Sequence, residues 1–409
     1  MANTTRTIPI VPAGPGAPKA TSSAGVRLTA LPPLSLYVHI PWCVRKCPYC
    51  DFNSHEAKAE IPEEAYIEAL THDLEQALPQ IWGRKVYTIF FGGGTPSLLS
   101  PKGLDTLLMN LRARLPLEHC SEITLEANPG TFESAKFESF RASGVNRLSI
   151  GVQSFNRKHL QALGRIHNDD EAHRAIEIAH RYFDNFNLDL MYALPGQTMD
   201  EAMDDINAAI AAKPTHISAY QLTLEPNTLF HRYPPDLPGD DLAEEMQTNL
   251  ESRLREAGYA NYETSAFSLP GRQCAHNVNY WRFGDYLGIG AGAASKISLP
   301  DRIVRSMRHK QPKAYMEGVA TGRHILEEND VALKDLPFEF MMNALRLTDG
   351  VPLRIFAERT GLSFAAVEKE MREAEARGLI ERDHENVRPT HLGRRFLNDL
   401  LQMFLPGEG

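Results

Sequence analysis

Residues 37–55 read YVHIPWCVRKCPYCDFNSH. A β-branched run, LYVHI at 36–40, ends at a proline, and three thiols follow within eight residues: Cys43, Cys47 and Cys50. The run predicts a strand, so the thiols sit on the loop directly after it. Three readings of that loop are open. A structural zinc site takes four Cys or His ligands, and only His39 or His55 stands near enough in sequence to complete one. A disulfide would strand the third thiol. An iron–sulfur cubane is normally held by four thiolates; a CxxxCxxC loop wraps three corners and leaves one iron open to a small ligand.

Working outward, short β-branched runs alternate with amphipathic helical stretches. The runs VYTIFF (86–91), EITLEA (122–127), RLSIGV (147–152), FNLDLMYA (186–193) and HISAYQLTL (216–224) read as further strands. Between them, residues 63–78, 103–115 and 170–183 carry the helical period. Strand–helix repetition predicts parallel strands with crossover helices, here a six-unit barrel or partial barrel. In such a barrel the chemistry collects at the C-terminal strand ends.

Those ends are polar. FFGGGTPS (90–97) brings Gly93, Gly94 and Thr95 after the second strand, in neither a P-loop nor a dinucleotide pattern. LEANPG ends with Glu126 within reach, IGVQSF supplies Gln153, LGRIH supplies Arg165, and NLDLMYALPGQT supplies Asp189. A lone carboxylate at a strand end is more often a helix cap or an ion-pair residue, but four polar groups at successive strand ends are harder to read that way.

CxxxCxxC after a first strand resembles the radical SAM enzymes. The resemblance implies a [4Fe–4S] cluster on Cys43, Cys47 and Cys50, with S-adenosyl-L-methionine on the open iron. Gly93, Gly94, Thr95, Glu126, Gln153, Arg165 and Asp189 carry over as its contacts. YVHIPWC, FGGGTPS, LEANPG, SIGVQSF, LGRIH and LDLMYALPGQT together resemble the HemN-like subgroup across about residues 36–400, and Tyr37 and Tyr49 match its aromatic positions near cluster and adenine. Two departures turn the likeness away from coproporphyrinogen III dehydrogenase. Phe52 stands where that enzyme's CxxxCxxCxC has its last cysteine, and HNVNYW (276–281) resembles the HNxxYW motif of the HemW-type heme chaperones. The resemblance implies a heme carrier without classical turnover, with His276 and Tyr280 as heme contacts; a radical SAM oxidoreductase is the alternative. Arg302, Arg305, Arg308, Lys310 and Lys313 (302–313) read as a solvated loop, or as a contact for heme propionates or an acidic partner. GIGAGAAS (288–295) reads either as a plain turn or as a backbone approach to the adenosyl group.

The totals fit. The chain of 409 residues exceeds what one compact core holds. A formal charge of −9 argues against nucleic acid as partner. No apolar run reaches membrane-spanning length, so membrane contact would be peripheral. Five cysteines, with Cys120 and Cys274 isolated, fit a reducing cytoplasm. Residues 1–35, rich in Pro, Ala, Gly and Ser, read as a disordered leader. The expected plan is α/β: the leader, a partial (β/α)6 radical SAM barrel over 36–265, a connecting segment with the HNVNYW motif over 266–330, and a C-terminal winged-helix-like α+β domain over 331–409. In the last, Phe364, Val367, Met371 and Ala374 mark one core-facing helix side. That helix carries four Glu against one Lys and two Arg, which favours packing or partner docking over DNA. The implied partners are heme and a heme-acceptor protein such as a membrane cytochrome, with a homodimer as a further expectation.

Overall fold

A computed structural model of the chain describes residues 26–406; residues 1–25 of the expected leader lie outside the described residues. Residues 26–35 depart from that expectation. Val26 is only 4% exposed within an apolar cluster, the Leu28 amide donates to the Pro300 carbonyl at 3.1 Å, and the first strand already begins at Leu34.

That strand, β1 (Leu34–Ile40), starts a twelve-stranded sheet. It continues through β2 (Val86–Gly93), β3 (Leu117–Ala127), β4 (Arg147–Gln153), β5 (Phe186–Tyr192) and β6 (His216–Gln221), each parallel to the one before. Crossover helices α1 (Glu63–Ile81), α2 (Pro101–Arg114), α3 (Ser134–Ser143), α4 (Asp169–Tyr182) and α5 (Met199–Ala211) cover one face. Asn168 and Thr198 start α4 and α5 with reciprocal capping boxes, which satisfy amide donors that would otherwise be orphaned. Leu, Ile, Val and Phe side chains of the strands pack under these helices as one core. The side chains alternate faces, so the polar strand residues 147, 149, 187, 189, 216 and 218 turn to the inner side of the arc. The result is the expected partial barrel.

Residues 266–330 are not a connector. After the edge pair β7 (Ala260–Glu263) and β8 (Ala266–Ser268) comes a short helix, α6 (Ala275–Trp281), which holds the HNVNYW motif. The chain then adds β9 (Asp285–Ile289) to the sheet, parallel to β1 on its far side. Antiparallel strands β10 (Ala294–Ser298), β11 (Ile303–Arg308) and β12 (Ile325–Asp330) complete that side. Pairing with β1 satisfies an edge that a six-strand arc would leave open.

The basic run also changes meaning, because Ile303–Arg308 is strand β11 and its charges are paired. Arg308 is 2% exposed and bound to Asp73 at 3.1 Å, Arg305 holds Glu339 and the Tyr286 hydroxyl, and Arg302 faces Asp301 and Asp330.

The C-terminal region is α+β: helices Leu336–Ala344 and Arg354–Thr360, then Glu368–Ala376, the hairpin Ile380–Arg382/Asn386–Pro389, and helices His391–Arg395 and Leu397–Gln402. Val367, Met371 and Ala374 are buried and Phe364 packs beside them. The expected helix over 363–378 is broken at Val367, preceded by a single 3₁₀ turn, and the one over 391–405 is broken at Phe396. Its core includes Val26, Phe283 and Ile303, so the domain is sealed onto the barrel by shared apolar packing.

Candidate functional site

The cysteine loop leaves β1 at Ile40 and is fixed by its own backbone. The Cys50 amide donates to the Cys47 carbonyl at 3.2 Å, and the Ala57 amide to the Cys43 carbonyl at 2.9 Å. Lys46 Nζ ties the loop by donating to the Phe52 and Ser54 carbonyls, both at 3.2 Å. Asn53 Nδ2 anchors it to the Ala291 carbonyl at 2.9 Å. The glycine turn 288–295 is therefore a wall for this loop. A Cβ on Gly290 would meet the His39 carbonyl at 2.5 Å, and one on Gly292 the Asn53 side chain at 2.3 Å.

Cys43, Cys47 and Cys50 are half-buried free thiols on this one loop. Ser54 Oγ lies 3.7 Å from Cys50 Sγ, and Arg165 Nη1 donates to Cys47 Sγ at 3.7 Å. Burial pushes the Cys43 and Cys50 thiols above their ordinary range. A coordinating iron would take the place of those protons, and hydrogen bonds to sulfur are what tune a cluster's potential. The donor set fits a cubane. It fits zinc poorly: among the described residues no three His, Cys, Asp or Glu side chains converge on one ion position. A cubane instead offers a separate iron to each thiolate. His39 and His55 are engaged elsewhere, His39 Nε2 with the Asn53 carbonyl at 2.9 Å and His55 Nε2 with the Lys310 carbonyl at 3.2 Å. Cys274 offers no fourth thiolate, being 1% exposed beside Glu122 at the other end of the barrel.

The glycine loop passes directly beneath. Gly93 takes φ +114°, and a Cβ on Gly94 would meet the Trp42 carbonyl at 2.5 Å, one residue before Cys43. Glycine is thus required for backbone to lie against backbone. The Gly93 amide donates to Glu126 Oε2 at 3.1 Å, and Thr95 Oγ1 accepts from Asn128 Nδ2 at 2.9 Å. Arg165 donates to Asn128 Oδ1 at 2.6 Å and to the Gly151 carbonyl at 2.7 Å, with Gln153, at φ 68°, on the same side of Gly151. Tyr49 packs on Phe230 and Leu222 next to Arg165. The upper rim therefore gathers Cys47, Tyr49, Thr95, Gln153 and Arg165 around Asn128. Asn128 was absent from the sequence-derived set, although it lies two residues past Glu126, on the same face of the strand end.

Below the rim lies a cavity of about 200 Å³, lined by Tyr37, Glu126, Asp189, His276 and Tyr280 among others. Burial pushes the Glu126 carboxyl up to about 8; the charge of Asp189 adds to this and the Gly93 N–H opposes it. Burial also raises Asp189, whose oxygens accept from Ser149 Oγ at 2.9 Å and Asn187 Nδ2 at 2.8 Å. Both acids thus line the cavity, where the charge of Arg147 opposes the rise at Asp189. Sequence reading passed over Arg147, Ser149, Asn187, His216 and Ser218; polar residues at every second position of otherwise apolar strands were the available signal.

The HNVNYW motif lies at the opposite mouth. Glu122 caps α6 by accepting from the amides of Ala275 at 3.1 Å and His276 at 3.2 Å. His276 Nδ1 meets Thr88 Oγ1 at 2.8 Å, and Asn279 Nδ2 donates to Ser35 Oγ at 2.9 Å. Ser35, Thr88 and Glu122 sit in the N-terminal halves of β1, β2 and β3, so α6 is the floor of the barrel. His276 is 2% exposed, and burial lowers its imidazole to about 3. His276 and Tyr280, the residues that the family likeness offers to heme, both line the cavity below the rim, Tyr280 part-buried.

Strand-end thiols, a glycine loop and a polar lumen inside a partial parallel barrel define a radical SAM protein. The Radical SAM superfamily model matches residues 37–209 and the HemN C-terminal domain model matches residues 331–396. The structure is similar to coproporphyrinogen III oxidase (HemN) from Escherichia coli, with TM-score 0.78 and 24% identity over 91% of this chain and 90% of that one. Curated relatives are closer in sequence. The Heme chaperone HemW of Escherichia coli is 49% identical over 380 residues, 92% of this chain and 100% of the relative. Its counterpart in Haemophilus influenzae is 48% identical (92% and 99%), and that of Bacillus subtilis 34% identical (91% and 99%). The chain belongs to the HemW heme chaperone family.

Proposed function

We propose that this protein is a heme carrier. It takes up heme and passes it to an acceptor hemoprotein, a respiratory membrane cytochrome by the family likeness. The observation that carries the reading is end-to-end similarity to curated heme chaperones at up to 49% identity. Cys43, Cys47 and Cys50 would hold a [4Fe–4S] cluster. Its open iron, with Gly93, Glu126, Gln153, Arg165 and Asp189 nearby, would receive S-adenosyl-L-methionine; Tyr37, Tyr49, Gly94 and Thr95 shape the same space. The cluster and nucleotide, when bound, supply a charged, exchangeable group at the upper mouth that sets heme release or dimerisation instead of turnover. Delivery would be by peripheral contact through the acceptor; among the described residues no helix is long and apolar enough to cross a membrane. His276 and Tyr280 would contact the heme, by the likeness of HNVNYW to the family motif, and Phe52, 60% exposed on the cysteine loop, offers the cluster no further ligand.

The test uses protein reconstituted with its cluster under argon. Hemin binding near one per chain, with no vinyl product from coproporphyrinogen III and reductant, is the expected outcome. Vinyl formation would overturn the reading in favour of the dehydrogenase. His276→Ala should bind hemin more weakly than the parent; unchanged affinity would remove His276 from the site, though not the function.

A further inference from the structure

The three thiols of the cysteine loop are not equivalent. Cys50 Sγ has a neutral hydroxyl, Ser54 Oγ, at 3.7 Å, whereas Cys47 Sγ accepts from a guanidinium, Arg165 Nη1, at 3.7 Å. Among the described residues Arg165 is the only cation that donates to a thiol. The other cation held on the loop, Lys46, spends Nζ on the Phe52 and Ser54 carbonyls.

What aims Nη1 is the other arm of the guanidinium. Nη2 donates to Asn128 Oδ1 at 2.6 Å and to the Gly151 carbonyl at 2.7 Å. A guanidinium is planar and its fork is fixed, so holding Nη2 sets the direction of Nη1. The Gly151 carbonyl belongs to β4, and a Cβ on Gly151 would come within 3.1 Å of Asn128 Oδ1 and 3.3 Å of Arg165 Nη2. Asn128 is pinned in turn. Its Nδ2 donates to Thr95 Oγ1 at 2.9 Å, and its carbonyl accepts from the Thr131 amide at 2.9 Å and the Thr131 hydroxyl at 2.7 Å. Arginine carries donors only, so the amide atom that meets it must be the oxygen. The side chain of Asn128 therefore has one orientation, and both of its ends are used.

We propose that Asn128 is a positioning residue for the cluster: it holds Arg165 so that Nη1 donates to the Cys47 sulfur and raises the cluster's reduction potential. The inference rests on the cluster-bearing reading of Cys43, Cys47 and Cys50. With iron in place of its proton the Cys47 sulfur is a thiolate, and reduction adds one negative charge to the cluster. A cation hydrogen-bonded to that sulfur stabilises the reduced form more than the oxidised one. Arg165 is also a contact that the family likeness gives to S-adenosyl-L-methionine, so the potential is to be read before any nucleotide is added.

The test is a redox titration of full-length, cluster-loaded protein under argon, followed by the electron paramagnetic resonance of the reduced cluster, with iron counted in each sample. In Asn128→Ala the reduced-to-oxidised ratio at a fixed solution potential should fall about tenfold, about 59 mV for a one-electron couple, with iron still about four per chain. Arg165→Met, which offers no donor, should fall at least as far. The two substitutions together should fall no further than Arg165→Met alone, because Asn128 acts through Arg165. An unchanged potential in either single variant overturns the assignment. So does a combined variant that lies below Arg165→Met by the full Asn128→Ala shift, since Asn128 would then act by another route. If Asn128→Ala does not load, Asn128→Leu, which keeps the side-chain volume, takes its place with the same outcomes. A parent that binds no iron would overturn the cluster reading itself, whereas a loaded parent with unmoved variants overturns only the role of Asn128.

Discussion

The two mouths of the barrel use similar residues for opposite ends. At the upper mouth, Cys43, Cys47, Cys50, Glu126 and Gln153 are held in place by backbone bonds or special dihedrals around the rim and the cavity below it. At the lower mouth, Glu122, Thr88, Ser35 and Asn279 spend their polar atoms on one another and on α6. A carboxylate on β3 caps a helix at position 122 and faces the cavity at position 126. The three residues between them decide which, since they carry the chain from the base of the strand to its C-terminal end, where backbone amides are free for ligands.

Breaking the upper mouth should have the largest effect. Cys47→Ser is expected to drop iron from about four per chain to near zero after anaerobic reconstitution, with loss of the cluster's visible absorbance, while circular dichroism stays at the parent's value. Retention of a full cluster would mean that Cys47 is not a ligand.

Breaking the lower mouth should cost stability without touching the cluster. Glu122→Ala removes the acceptor for two α6 amides, and hydrogen bonds to a charged group are worth about 1.5–3 kcal/mol each. Urea unfolding should show a loss of about 3 kcal/mol with unchanged iron content. Unchanged stability would remove Glu122 from its capping role.

The smallest effect sharpens the boundary between the two. Glu126 sits at about 8 in the ligand-free protein, raised by burial, so below that pH it is mostly protonated. A bound sulfonium or ammonium favours the ionised form, and binding must then release a proton. Affinity for S-adenosyl-L-methionine should rise by up to about tenfold per pH unit below about 8 and level above it. Glu126→Gln should flatten that dependence. A flat profile in the parent would show that the cation does not lie against Glu126.

Much of the upper mouth was legible in the sequence. The thiol spacing, the glycine loop and the strand ends are local patterns, and Tyr37, Glu126, Gln153, Arg165 and Asp189 all fall in one arc. The lower mouth was not legible. HNVNYW reads as a ligand motif only through its likeness to the family's HNxxYW, and only the fold shows His276 bonded to Thr88 and beside Phe90. The same limit hid β9, since a parallel partner for β1 lies some 250 residues along the chain and leaves no periodic trace in sequence. The charges of residues 302–313 likewise looked free because Asp73 and Glu339, their partners, are distant in sequence.

By itself the sequence determined the parallel barrel, the three-thiol loop after its first strand and the apolar faces of its helices. Those depend on periods of two and 3.6 and on spacing within a few residues. Tertiary structure alone decided that 266–330 belongs to the sheet, that the C-terminal domain shares its core with Val26 and Ile303, and that His276 is buried against Thr88. Each of these is a pairing between residues far apart in the chain. Such pairings are set by burial and hydrogen-bond completion across the whole fold, which no local window contains.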